Sequence, residues 1–228
     1  MERFYVTAEV CVESLVDARA AVAGGADRLE LCTALEQGGL TPPMDLLRAV
    51  RTAVDLPVMV MLRLRAGGFV LDSEEIEEMA AQARTLKAAG ADGVVCGALL
   101  DDGTVNCAAV QRLVDVVAPL PLIFHRAFDS VTDQATALEQ LITCGCARLL
   151  TSGDPRGVDQ GRTRLADLLR QAGERMELMP GGGVRAHSVA ELVRVTGARA
   201  VHFSAKPRYG LPTQAENVRA MVTALRGG

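Results

Sequence analysis

Two stretches near the start of this chain end in one three-residue pattern, Glu9-Val10-Cys11 and Glu30-Leu31-Cys32. Each closes a short apolar run, and a helix-like segment stopped by Gly24-Gly25 lies between them. Side chains alternate faces along a strand, so each Glu points the same way as the Cys two residues on. As neighbouring parallel strands, the runs would set two carboxylates and two thiols at matching heights. Charge is costly to bury between a sheet and its helices, which favours an inward orientation towards a solvated mouth. Carboxylates in unlike environments suit acid–base work. Paired thiolates suit a soft metal, Cu(I) first, or Zn(II) where a carboxylate or His completes the set. The same cysteines also read as small buried hydrophobes, the common fate of free Cys, or as a strained disulfide, which a reducing compartment disfavours.

Further groups of this kind end later apolar runs. Phe124-His125-Arg126-Ala127-Phe128-Asp129 carries a His that suits a general base or a metal ligand, oriented by Asp129. A hydrogen-bonded ring lining a polar mouth is the plainer reading of His125. Pro180-Gly181-Gly182-Gly183-Val184 and His202-Phe203-Ser204-Ala205-Lys206 follow two more runs. Glycines let a backbone approach a ligand and aim N–H groups at an anion. Gly181, Gly182, Gly183, His202 and Ser204 are therefore candidates for an anion site, with Arg63 or Arg126 as a clamp. Triple glycine also serves simply to close a tight loop. Arg63 and Arg126 are equally suited to pair with Glu9 and Glu30 in a network plugging the mouth, costly unless every member is satisfied. Cys144-Gly145-Cys146 has metal-site composition but falls between a helix and a strand, where it reads as packing around a helix stop.

The elements that position these groups are regular. Apolar, β-branched-rich runs recur at about 5–11, 28–32, 57–63, 92–97, 121–126, 147–152, 176–180 and 200–204. They start roughly 23–35 residues apart, room for one strand, one helix and two loops. Runs such as Val58 to Leu62 are continuously apolar, as in strands covered on both faces. Residues 73–89 follow Asp72 with Glu75 in capping-box spacing, and Ile76, Met79, Ala80, Ala83 and Leu86 form a helical stripe. Segments 132–143, 161–172, 186–196 and 214–226 behave alike. Gly-Ala-Asp occurs at 25–27 and 90–92, one αβ-loop solution used twice. Eight such units favour a closed (β/α)8 barrel, a TIM barrel with residues 1–228 as a single domain, over an open doubly wound sheet. The polar residues above then fall at the strands' C-terminal ends, the functional face of that fold.

Composition narrows the function further. The chain has 228 residues, 49% hydrophobic and 23% charged, as expected of an ordinary globular protein. Net charge is -4 with basic residues scattered, which argues against nucleic acid. The longest apolar run, near 56–62, is far short of a membrane span. Six cysteines in no secreted framework and no signal-like N-terminus point to the cytoplasm.

Several segments together resemble the copper homeostasis protein CutC family. They are Glu9-Val10-Cys11, Gly24 to Cys32, Gly38-Gly39-Leu40-Thr41-Pro42, His125 to Asp129, Leu150-Thr151-Ser152-Gly153 and Pro180 to Gly183. The resemblance implies a TIM barrel, a cytoplasmic location and a role in copper handling, with Cu(I) binding mapped to Cys11 and Cys32. Leu64 and Gly68 depart from the family's pattern, which usually has Pro and Asp there. Two expectations follow. One is a copper-binding protein using Cys11 and Cys32, with His or Glu as auxiliary ligands. The other is an enzyme acting on a small anionic or phosphorylated metabolite, with Glu9, Glu30 or His125 as acid–base groups. The expected partner is a copper ion or a small anion, and a homo-oligomer is compatible with either.

Overall fold

The computed structural model describes residues 5–227. Its strands are β1 (Thr7–Val12), β2 (Arg28–Leu31), β3 (Val58–Met61), β4 (Gly93–Cys96), β5 (Leu122–Phe124), β6 (Arg148–Thr151), β7 (Glu177–Pro180) and β8 (Ala200–Phe203). Helices follow them in turn: α1 (Leu15–Gly24), α2 (Met44–Ala53), α3 (Ser73–Ala88), α4 (Cys107–Val117), α5 (Gln134–Thr143), α6 (Val158–Ala172), α7 (Val189–Thr196) and α8 (Ala215–Gly227). All paired strands are parallel, in the order β7-β6-β5-β4-β3-β2-β1-β8. Eight parallel strands thus form a nearly closed (β/α)8 barrel, with its seam between β7 and β8.

Alternation along the strands sorts the core into two shells. Val10, Leu29, Leu31, Val60, Val94 and Phe124 point outwards into the main cluster under the helices. Cys11, Cys32, Met59, Met61, Val95 and Ile123 form a separate cluster inside the barrel. A continuous Val/Met/Leu strand serves both shells, which is why its sequence does not alternate.

The helix signals act as their chemistry requires. The Asp72 carboxylate accepts the Glu75 N–H at 2.8 Å and Glu75 accepts the Asp72 N–H at 3.1 Å, a complete capping box at the start of α3. The repeated Gly-Ala-Asp loop repeats its contacts as well. Asp27 accepts the Ala8 N–H and Asp92 the Val58 N–H, each at 2.8 Å. Each aspartate thereby ties the loop before its own strand to the first residues of the neighbouring strand, β1 for Asp27 and β3 for Asp92.

The expected matching heights of the two Glu-x-Cys patterns need correction. Cys11 lies opposite Glu30, and Glu9 opposite Arg28. Closing a sheet into a barrel requires a stagger between neighbouring strands. That stagger offsets the two patterns by two residues and preserves their shared inward face.

Candidate functional site

A chain of polar groups runs up the inside of the barrel. It begins at the N-terminal end of the strands, where Glu177 accepts from Arg28 at 2.8 Å and pairs with Arg148 at 3.2 Å. The Arg28 Nε donates to Glu9. Glu9 Oε1 lies 2.8 Å from Nδ1 of His202, whose Nε2 is 3.9 Å from Glu30. Ligand atoms of Cys11, Glu30 and His202 then lie within 4.8 Å of one another. Arg28 was invisible as a site residue when only strand ends were considered. Its signal was parity, because it sits two residues before Glu30 and so shares its inward face.

This arrangement splits the two carboxylates. Burial opposes the charge of Glu9, yet the His202 hydrogen bond and the Arg28 guanidinium outweigh it and hold the carboxyl below its usual range. Burial pushes Glu30 up, and repulsion from Glu9 adds to this against the pull of His202. Burial alone would lower His202, but Glu30 and Glu9 raise it. Glu30 Oε2 is buried without a hydrogen-bond partner among the described residues. An orphaned carboxylate oxygen beside a thiol and an imidazole is open to coordinate a metal ion or to accept from a bound molecule.

The Cys11 and Cys32 sulfurs are 3.5 Å apart and both are buried. A disulfide has sulfurs about 2.05 Å apart, so this is a dithiol. The Cys32 hydrogen bond and burial push the Cys11 thiol well above its ordinary range. Cys11 reaches the cavity wall. The backbone of Gly39 covers Cys32, whose Sγ would be 3.6 Å from a β-carbon there. Cys144 and Cys146 instead sit in the outer core, as expected of packing residues.

Above this floor opens a cavity of about 1080 Å³. The plug of Arg63 and Arg126 on Glu9 and Glu30 does not form. The Arg63 guanidinium donates to the carbonyls of Gln37, Gly39 and Gly67 and stacks 5.0 Å above Phe69. Arg126 donates to Asp129 at 2.7 Å and to Ser152 at 3.2 Å. The glutamates take Arg28 and His202 as partners because those share the barrel interior, whereas Arg63 and Arg126 lie beyond the strand ends.

Asp129 does not orient His125 either. It accepts from Thr151 Oγ1 at 2.5 Å and from the Ser152 N–H and hydroxyl at 3.0 and 2.6 Å. His125 Nδ1 accepts the Ala127 N–H at 3.2 Å, and Phe69 packs edge-on 5.0 Å away. Burial, then Arg63 and Arg126, lowers the His125 pKa to about 3. The ring is neutral at physiological pH.

The glycine loop divides. The Gly181 N–H is committed to Thr151 O at 3.0 Å, whereas Gly182 and Gly183 line the cavity with φ of 94° and 90°. Ser204 and His202 line it as well, His202 from the floor, where its Nδ1 meets Glu9. Lys206, beyond β8, pairs with Glu13 at 2.9 Å and Asp17 at 3.0 Å, and Asp17 accepts the Thr213 N–H at 2.7 Å. This clasp fastens the loop after β8 to the start of α1. No described helix is long and apolar enough to cross a membrane.

Comparison with known proteins agrees with this geometry. The CutC family model matches residues 6–207. A copper homeostasis protein cutC homolog of Homo sapiens is 44% identical over 198 residues, 87% of this chain and 72% of that one. A family protein CutC of Xanthomonas campestris pv. campestris is 44% identical over 87% of this chain and 82% of its own. A solved CutC structure from Streptococcus agalactiae has a TM-score of 0.83 at 29% identity, covering 87% of this chain and 98% of that one. Phosphoribosyl anthranilate isomerase from Thermotoga maritima has a TM-score of 0.65 at 14% identity, over 98% and 100% of the two chains, and shares the fold alone. Family match, identity and barrel lead to one conclusion: this chain belongs to the CutC family.

Proposed function

We propose that this protein binds Cu(I) at the floor of the barrel mouth, through the Cys11 and Cys32 thiolates, with His202 or Glu30 completing the set. The observation that carries this reading is the dithiol, 3.5 Å between sulfurs, beside the His202 and Glu30 ligand atoms. Metal–thiolate bonds of about 2.3 Å at a tetrahedral angle hold two sulfurs about 3.8 Å apart, so the pair needs little movement. Two soft donors and one imidazole favour Cu(I) over harder ions. Thiols must lose their protons to bind a metal. Whichever of Glu30 and His202 does not ligate the ion is placed to receive one of them, and the cavity that Cys11 reaches passes the other to solvent. Six free cysteines fit a reducing, cytoplasmic setting. A buried floor in one barrel suits buffering or delivery of the ion better than transport.

The test is competition with a chromogenic Cu(I) chelator under anaerobic conditions. The wild-type chain is expected to withdraw one equivalent of copper. A Cys11→Ser, Cys32→Ser double variant is expected to withdraw none, while Cys107→Ser, outside the barrel, behaves as wild type. Equal retention by the double variant and the wild type would overturn the assignment.

A further inference from the structure

The mouth is far larger than an ion needs. Its cavity of about 1080 Å³ compares with roughly 300–1,000 Å³ for small-molecule sites and about 30 Å³ for one water. Its lining charge is also uncompensated. Arg63 spends its guanidinium on neutral carbonyls, and its buried Nε has no partner among the described residues. Arg185 reaches only the Val184 carbonyl, at 3.1 Å, among the described residues. Arg208 joins no carboxylate among the described residues. Three guanidiniums therefore line one cavity without an ion-pair partner among the described residues.

Donors converge beside them. Neither the Gly182 nor the Gly183 N–H makes a hydrogen bond among the described residues. Arg126 lies against Gly182, where a β-carbon would be 2.7 Å from the guanidinium carbon. Only a residue without a side chain lets that guanidinium lie beside the two open amides. Its Nε and Nη2 are taken by Asp129 and Ser152, which fix its plane and leave Nη1 free to donate. Open amides flanked by an oriented guanidinium match a tetrahedral, multiply charged oxyanion. A single carboxylate would leave most of this charge unanswered.

We propose that the mouth binds a small phosphate monoester, a phosphorylated metabolite of sugar size. Its phosphate is held by the Gly182 and Gly183 amides with Arg126 and Arg185, and its organic portion fills the cavity above Cys11 and Glu30. The site does not depend on copper: its donors lie on the loops after β5 and β7, not on β1 and β2. In barrels of this architecture, loops after β7 and β8 frequently hold phosphate.

Calorimetric titration of the metal-free full chain tests this with ribose 5-phosphate, inorganic phosphate and ribose. Ribose 5-phosphate is expected to bind saturably at one site, inorganic phosphate to compete with it, and ribose not to bind. Arg185→Gln, an exposed change that leaves the fold intact, is expected to weaken ribose 5-phosphate by roughly 10- to 100-fold, as is Arg126→Gln. Cys32→Ser, which removes a proposed copper thiolate lying under Gly39 and away from the cavity lining, is expected to bind it as wild type does, which separates this site from the copper reading. Ribose 5-phosphate binding no better than ribose, or with full affinity in both arginine variants, would overturn the proposal.

Discussion

Replacing Arg28 by Met is expected to cost the fold about 3–5 kcal/mol, one of the largest losses open to a single substitution in this chain. Arg28 is 6% exposed and Glu9 1% exposed, so both charges are out of water. The guanidinium bonds Glu9 and Glu177 and also contacts Met179 Sδ at 3.3 Å. Without it, Glu9 keeps only His202 among the described residues, and a buried carboxylate loses most of what offsets its desolvation. For a chain of this length the loss corresponds to a fall in Tm of about 6–20 °C, readable by thermal or urea unfolding. Adding Glu9→Leu to Arg28→Met is expected to recover part of it, since removing both members of a buried pair is far cheaper than removing one. A loss below about 1 kcal/mol would show that Glu9 is not held as described.

Acid is expected to destabilise the wild-type protein partly through His125, and a His125→Gln variant to lack that share. In the fold, burial and the two nearby arginines lower the His125 pKa from 6.5 to about 3. The unfolded chain protonates this ring near 6.5. Between these values the unfolded state binds about one more proton, so stability falls by about 1.4 kcal/mol for each unit of acidification. The contribution is fully present above pH 6.5, and the loss is complete only below pH 3. Urea unfolding at pH 7 and pH 5 is expected to show the wild type losing about 2 kcal/mol more than the variant over that step. Glu9, Glu30 and His202 titrate in both proteins and cancel in the comparison. Equal losses would mean that His125 is not held neutral by the fold.

Much of the architecture was legible because each barrel unit repeats local chemistry. Apolar strands buried on both faces, the Asp72–Glu75 box and the reused Gly-Ala-Asp loop are decided within a few residues of chain. The candidate site depends on long-range geometry and was only partly legible. Stagger on closure set Cys11 against Glu30, which no run of residues on β1 or β2 encodes alone. Asp129 looked like a partner for His125 four residues away, but its real partners, Thr151 and Ser152, arrive from β6. Arg63 looked like a counter-ion for the glutamates, yet the carbonyls of neighbouring loops claim it. The Lys206 clasp on Glu13 and Asp17 joins opposite ends of the chain, beyond any motif. Inward parity was the one sequence signal that would have identified Arg28.

Cu(I) held by Cys11 and Cys32 is tested most directly by X-ray absorption at the copper edge of the anaerobically loaded wild-type chain. The expected first shell contains two sulfur scatterers and a lighter nitrogen or oxygen scatterer, with both sulfurs lost in the Cys11→Ser, Cys32→Ser variant. A first shell of nitrogen and oxygen alone in the wild type would contradict it.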